Sequence, residues 1–536
     1  MQAAAGCAKQ ADIGARRAMG DSRVRMFSLR AIATVGGMTL LSRVLGFVRE
    51  VLIAGILGTG PVAEAFIVAM RLPNLLRQMF AEGAFSAAFV PVFTRHLTEG
   101  GRAGARAFAQ QALAWLLLIL LAMTIAAELA MPWLIHIFAP GFDEYPDKFA
   151  ATVLFTGITF PYIVFMSLCA LQGGMLNAVQ KFGHAAAAPV ILNAILIATL
   201  WLMPGDEFLL GVALSWSVTL AGLVQFLWLA YICHRSGLAL RLQLPRFDPE
   251  VLRLGRLMIP GLLGAGVTQI NLAVSTILAS LHPGSVAYIY YADRLYQLPL
   301  ALIGSAIGVV LLPALTRALR GTDPAQGHRM QNRALELGLL FSLPATIGLM
   351  VAALPIVVTV YQRGAFTTAD AHAVALALII MSAGLPAYVA NKALQAGFLA
   401  REDTVTPFRY AAISVAVNIA VSLALTPTYG YIGVAIAAMI AAWLNALLLA
   451  LGLHRRRYLV VDSRLARFLP RLAVAVAAMG AVVWWAIDLL WPGMAAPVWH
   501  QVLSLIGIVA GGGISFAALA LLLRVTSIGD LRRLRH

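Results

Sequence analysis

The sequence predicts an all-α integral membrane protein of about fourteen transmembrane helices. Two six-helix lobes are expected, related by a parallel pseudo-two-fold repeat, with two extra C-terminal helices. Three observations carry this expectation. Of 536 residues, 61% are hydrophobic and 12% charged, whereas soluble domains carry about 25% charged residues. Apolar stretches of spanning length recur from end to end, which excludes a soluble domain on a single anchor. Short motifs also recur, in order, at an offset near 223 residues.

In chain order the spans fall at 29–57, 62–95, 105–138, 149–178, 184–203, 207–233, 250–281, 285–318, 328–361, 368–399, 407–426, 430–453, 467–490 and 498–524. Several are long enough to tilt or to run past the bilayer. The second and eighth contain Pro73, Pro91, Pro299 and Pro313, which membrane helices tolerate where neighbours or water satisfy the freed carbonyls. The expected domains are a basic, disordered extension at 1–25, a first lobe at 26–240, a second lobe at 241–460, and a last helix pair with a basic tail at 461–536. The extension is polar and no apolar core follows Arg16 and Arg17, so it reads as neither a secretory nor a twin-arginine signal. Met26 is an alternative start.

The formal net charge of +16 suggests nucleic acid only until its distribution is read. Basic residues gather in alternate loops: Arg95, Arg102 and Arg106; Lys181; Arg235 to Arg256; Arg317 to Arg333; Arg401; and Arg455 to Arg464. The opposite loops hold Lys148 and Arg363 beside Asp143, Glu144, Asp147, Asp206 and Glu207. This asymmetry places the basic loops and both termini in the cytoplasm, and no nucleic-acid partner is expected. Cys7, Cys169 and Cys233 are far apart, and no HExxH occurs. Neither a disulfide framework, a metal site nor a cofactor is expected.

The repeat is explicit. Arg71-Leu72 matches Arg294-Leu295, and ALQGGML at 170–176 matches ALQAGFL at 393–399, both at an offset of 223. Pro91 to Arg95 matches Pro313 to Arg317 at 222, and Asn193 matches Asn418 at 225. The period holds six spans, an even number, so the two halves share one orientation about an axis along the membrane normal.

The first two spans carry Arg43, Arg49, Glu50, Glu64, Arg71, Arg77 and Glu82 inside apolar sequence. Each central charge costs about 2.5–3.5 kcal/mol on insertion scales unless it faces water or a ligand. Arg43 lies ~21 Å along its helix from the far end, too far for easy snorkelling. Arg43 and Arg49 point some ~120° apart, so they border a wide cavity rather than one narrow face. Glu50, seven residues from Arg43, is a candidate internal partner. Glu64 is either a solvated carboxylate at the outer mouth or a gate. Arg71 and Arg77 flank Pro73-Asn74, where a kink would open backbone groups to the cavity, and Glu82 is a candidate counter-charge. The second half answers with Asp293 and Arg294, which diverge on a helix as adjacent residues do. For each charge the competing reading is a pair that only locks helices together. Arginine suits a diphosphate because its planar fork binds phosphate oxygens bidentately and keeps its charge. An anionic headgroup is therefore the expected cargo; a lipid-linked anion would also need an apolar lane for its tail, for which the last two helices are candidates.

At SRVLGFVRE (42–50), RLPNLLRQMFAEGAFSAAFVPVF (71–93) and YYADRL (290–295) with LLPALTR (311–317), the chain closely resembles the MurJ/MviN family of bacterial lipid II flippases, within the multidrug/oligosaccharidyl-lipid/polysaccharide (MOP) exporter superfamily. The resemblance runs from about Met26 to the C-terminus. It implies two lobes about a cationic cavity in the cytoplasmic membrane and a polyprenyl groove at the last two helices. Its cavity residues fall on Arg43, Arg49, Arg77 and Arg294, with Ser42 and Asp293 beside them; the family's acidic position after the first outer loop is Glu64. Lipid II is the implied cargo, membrane lipid the surroundings, and cell-wall synthesis enzymes candidate partners. A flippase for another polyprenyl-linked glycan, or a cation-coupled drug exporter, is the alternative within the superfamily. An intramembrane enzyme would need clustered acids, histidines or a metal site, and a non-transporting scaffold would leave the buried arginines unexplained.

Overall fold

The computed structural model describes residues 34–203, 205–320, 324–460 and 462–526, without the side chains of 81–84, 260, 263–265, 267–268, 305–314, 318–320 and 324–325. The expected extension at 1–25 and the Glu82 side chain lie outside the described residues. Among the described residues every regular element is helical: α1 (34–57), α2 (Pro61–Arg77), α3 (Ser86–Glu99), α4 (Gly101–Leu129), α5 (Met131–Phe138), α6 (Pro146–Thr159), α7 (Tyr162–Ala178), α8 (Phe182–Leu202), α9 (Glu207–Arg235) and α10 (Pro249–Ser280). There follow α11 (Ser285–Arg320), α12 (Pro324–Val351), α13 (Ala353–Tyr361), α14 (Thr368–Ala383), α15 (Leu385–Leu399), α16 (Val405–Tyr429), α17 (Tyr431–Arg455), α18 (Ser463–Leu490) and α19 (Val498–Leu522). Ten of the described helical stretches are long and apolar enough to cross a bilayer. The chain is a multi-pass membrane protein.

Local chemistry sets the helix ends. Asp206 and Asp462 accept hydrogen bonds from Leu209 N and Leu465 N and so cap α9 and α18. Thr367 and Asp370 form a reciprocal capping box at the start of α14. Gly430, at φ +56°, makes the turn from α16 to α17. Two expected spans are each broken once in either half, at Ala130 and Ala352, and at Phe160-Pro161 and Gly384. These breaks keep the offset read from the motifs. The helix α2 runs through Pro73, and the irregularity comes afterwards, as a π-helical segment at Gln78–Phe85. Such widened turns recur at functional sites.

The chain forms two compact units. Of the described residues, the first comprises 34–52, Ala69–Met131 and Leu154–Ala265; the second comprises Ile53–Val68, Pro132–Val153 and those from Gly266 to 526. The first is centred on Phe85, Phe89, Phe93 and Phe108, whose rings stack at centroid distances of 5.1, 5.5 and 5.7 Å. In the second, α18 buries Leu465, Phe468, Leu472 and Val476 against Leu340 of α12, with Ala520 of α19 in the same cluster. Phe398, Leu449 and Leu453 join α15 to α17.

One turn outside the spans yields a pH prediction. Asp403 accepts from Thr406 N at 3.0 Å and from the Arg456 guanidinium, which also reaches Thr406 Oγ1 at 2.9 Å. Burial opposes the Asp403 charge, but the Thr406 and Arg456 hydrogen bonds outweigh it and hold the carboxyl at about 2. The folded value lies below the ordinary ~3.9, so the contribution is full above that value and is lost as pH falls towards about 2. Arg456→Gln should move the acid limb of a thermal-stability profile to higher pH. An acid limb identical to the wild type would show that the pair holds nothing.

Candidate functional site

In the first unit, α1 and α8 bring Arg49, Glu50, Asn193 and Ser42 together. Arg49 donates from Nη1 to Asn193 Oδ1 at 2.9 Å and from Nη2 to the adjacent Glu50 carboxylate. Asn193 donates in turn to the Ser42 carbonyl at 2.9 Å. The seven-residue spacing suggested an Arg43–Glu50 pair; the described partner of Glu50 is Arg49, and Arg43 is exposed. An arginine stem is long enough to curl back to its neighbour, which the divergence of adjacent Cα–Cβ bonds does not forbid.

Arg77, at the end of α2, donates from Nε and Nη2 to Asn74 Oδ1 at 3.0 and 2.7 Å, one turn back. Asn74 is thus an internal partner for Arg77, and Arg71 is half-buried on the same helix. Arg49 and Arg77 both act electrostatically on the Tyr162 hydroxyl of the same unit. Gln225 of α9 is fully buried and its amide lies beside the Tyr162 hydroxyl. Asn193 and Glu50 hold the Arg49 fork, and Asn74 holds that of Arg77. Oriented, charged forks in apolar helices can bind an oxyanion bidentately.

The second unit holds the other expected residues. Arg294 lies over the Tyr290 ring at 4.7 Å, and Asp293 accepts from Gln297. Asn418 donates to Asn271 of α10. That bond repeats the α8-to-α1 bond of Asn193 at the repeat offset.

Glu64 is not a solvated carboxylate. It is 1% exposed, and Oε2 pairs with Lys148, itself 6% exposed, at 2.5 Å. The same carboxylate accepts from Gly284 N at 3.1 Å and Val286 N at 2.9 Å, capping the first turn of α11, where the helix dipole favours an anion. The Lys148 ammonium also sits 3.7 Å above the Phe142 ring. Around it, Tyr291 donates to Gly58 O at 2.9 Å, Ala365 N to Gly55 O at 2.9 Å, and Thr59 to Asp370. The approach at Gly364 is so close that a Cβ there would lie 2.1 Å from Gly55 O, at a φ of +56°. Segments 53–68 and 132–153 are therefore locked to the start of α11.

Asn193 entered the sequence reading only as a repeat anchor, and Tyr162, Gln225 and Lys148 had no assigned role. For Lys148 one signal was present: it is one of two cations in loops otherwise acidic. Among the described residues no three His, Cys, Asp or Glu side chains are grouped to hold a metal.

The family described as "Lipid II flippase MurJ" matches residues 53–498. A protein of Rhizobium meliloti (strain 1021), named probable lipid II flippase MurJ, is 44% identical over 95% of this chain and 96% of its own length. The lipid II flippase MurJ of Burkholderia cenocepacia is 35% identical over 91% and 95%. Among solved structures, a lipid II flippase MurJ in an inward closed conformation superposes with a TM-score of 0.75 at 24% identity, covering 91% of this chain and 98% of that one. An inward-facing multidrug resistance MATE transporter of the MOP superfamily gives 0.65 at 14% identity, over 80% and 98%. These relatives are named as flippases and transporters rather than enzymes, and the chain belongs to the MurJ lipid II flippase family.

Proposed function

We propose that this protein moves lipid II, the undecaprenyl-diphosphate-linked peptidoglycan precursor, from the inner to the outer leaflet of a bacterial cytoplasmic membrane. Fourteen spans with both termini in the cytoplasm accord with the charge asymmetry of the loops. Arg43, Arg49, Arg77 and Arg294 bind the diphosphate, with Ser42 and Asp293 beside them. The observation that carries this reading is two oriented guanidinium forks among apolar helices of one unit, Arg49 held by Asn193 and Glu50 and Arg77 held by Asn74. The sequence repeat supports alternating access by two six-helix lobes. Diphosphate binding triggers the change by cancelling repulsion among the arginines.

Glu64 acts as the outer gate. Opening requires the first turn of α11 to leave the carboxylate, and Lys148 holds that carboxylate in place until it does. Cell-wall synthesis enzymes are candidate partners. No cofactor is invoked.

The test is a leaflet assay in cells depleted of their own flippase and expressing this chain. A lipid-II-cleaving toxin added from outside reports lipid II in the outer leaflet. Cleavage is expected with the wild type and its loss with Arg294→Ala or with Arg43→Ala plus Arg294→Ala. Absence of cleavage despite good membrane expression would point to another polyprenyl-linked glycan as cargo. Cleavage undiminished in the double variant would overturn the arginine cradle.

A further inference from the structure

A second candidate site lies in the first unit, and Arg43, Arg49 and Arg77 are not among its lining residues. A groove of about 550 Å3, within the size range of ligand pockets, runs between α4 and the first turns of α10. Leu120 and Met123 line one side and Met258 and Leu262 the other, with Phe80 and Phe85 of the π-helical segment also in the wall. The entrance is built rather than accidental. The Trp115 indole donates to Arg246 O at 2.9 Å, Arg246 N donates to Gln111 at 2.9 Å, and the Phe247 ring packs 4.9 Å from that of Trp115. These contacts pin the segment before α10 against α4.

Two polar groups mark what the groove takes. Ser167 of α7 lines it, is 1% exposed, and its hydroxyl has no hydrogen-bond partner among the described residues. Arg256 lines it on its exposed side, and the exposed Arg253 lies one turn back on α10. The third polar lining residue, Asp248, is occupied in receiving Glu250 N at 2.8 Å at the start of α10. An apolar channel with one inner hydroxyl and one outer guanidinium matches the order of groups in a phospholipid: acyl chain, ester carbonyl, phosphate. Trp115 is of the residue type that settles at the headgroup level, and basic pockets between helices recognise anionic headgroups.

We propose that this groove is a binding site for an anionic glycerophospholipid of the leaflet on the arginine-rich side. Ser167 donates to an acyl ester carbonyl and Arg256 pairs with the phosphate. A polyprenyl tail offers no ester carbonyl to Ser167, so the cargo's own tail is the poorer occupant. The assignment does not depend on the cargo.

The test uses the purified full-length chain in phosphatidylcholine nanodiscs carrying a trace of phosphatidylglycerol with a photoreactive acyl chain. Crosslinks are expected on α4 between Leu116 and Met123 and on α10 between Met258 and Leu262. Arg256→Gln should lower their yield about fivefold, the worth of one basic side chain at an anionic surface. Leu120→Trp, which fills the groove, should abolish them while crosslinks elsewhere persist; Arg256→Gln carries the test if that variant does not fold. Equal labelling by a photoreactive phosphatidylcholine would reduce the groove to ordinary annular contact and sink the proposal. So would displacement of the label by a polyprenyl phosphate, which would make the groove a tail site.

Discussion

Lys148→Met is expected to lower the stability of the purified protein by about 3–5 kcal/mol, the usual cost of removing one partner from a buried ion pair. Glu64 and Lys148 are 1% and 6% exposed, so water screens neither. The methionine occupies similar volume beside Phe142 but leaves the carboxylate with only the amides of Gly284 and Val286. Glu64→Gln strands the ammonium in the same way. The double variant Glu64→Gln/Lys148→Met carries no buried charge and should recover most of the loss, since neutral replacements of buried pairs are often tolerated. Thermal melts of the four proteins give the coupling directly. A coupling under about 1 kcal/mol would class the pair with solvent-screened surface bridges and remove the physical basis of the gate. If the gate reading holds, the double variant should fold well yet reach the outer-open state more readily, because a neutral amide caps α11 less strongly than a carboxylate.

The membrane class and the places where helices run were legible because apolar run length and loop charge are local properties. The repeat was legible too, and the helix breaks at Ala130 and Ala352 keep its offset. What sequence could not give was partnership across long separations. Arg49 meets Asn193 across 144 residues and Lys148 meets Glu64 across 84; no periodicity encodes either. Spacing on one helix suggested Glu50 for Arg43, yet side-chain reach brought it to Arg49. Pro73 suggested a kink, yet the backbone widens only at Gln78–Phe85, after the arginine it was expected to serve. Side-chain amides were the least readable residues. Asn193, Asn74 and Gln225 have the same composition whether they bond helices or position a guanidinium, and only their geometry separates the two.

That ambiguity makes Arg49 the sharpest test of the cradle. Arg49→Lys keeps the charge and replaces a planar fork by a point donor, a change that is not conservative where phosphate is held bidentately. Outer-leaflet lipid II should fall about tenfold or more, as expected for the loss of one charge-assisted hydrogen bond of about 1.5–3 kcal/mol. Stability should change little, because an ammonium can still meet Glu50. Arg49→Gln/Glu50→Gln separates the remaining possibility. If Arg49 serves only to pair with Glu50 and Asn193, the neutral pair should fold and transport normally, since a glutamine can donate to Asn193 and to its neighbour. If Arg49 holds the diphosphate, the neutral pair should fold and fail to transport. Folding with transport intact would assign Arg49 to helix packing alone and leave Arg43, Arg77 and Arg294 to hold the anion.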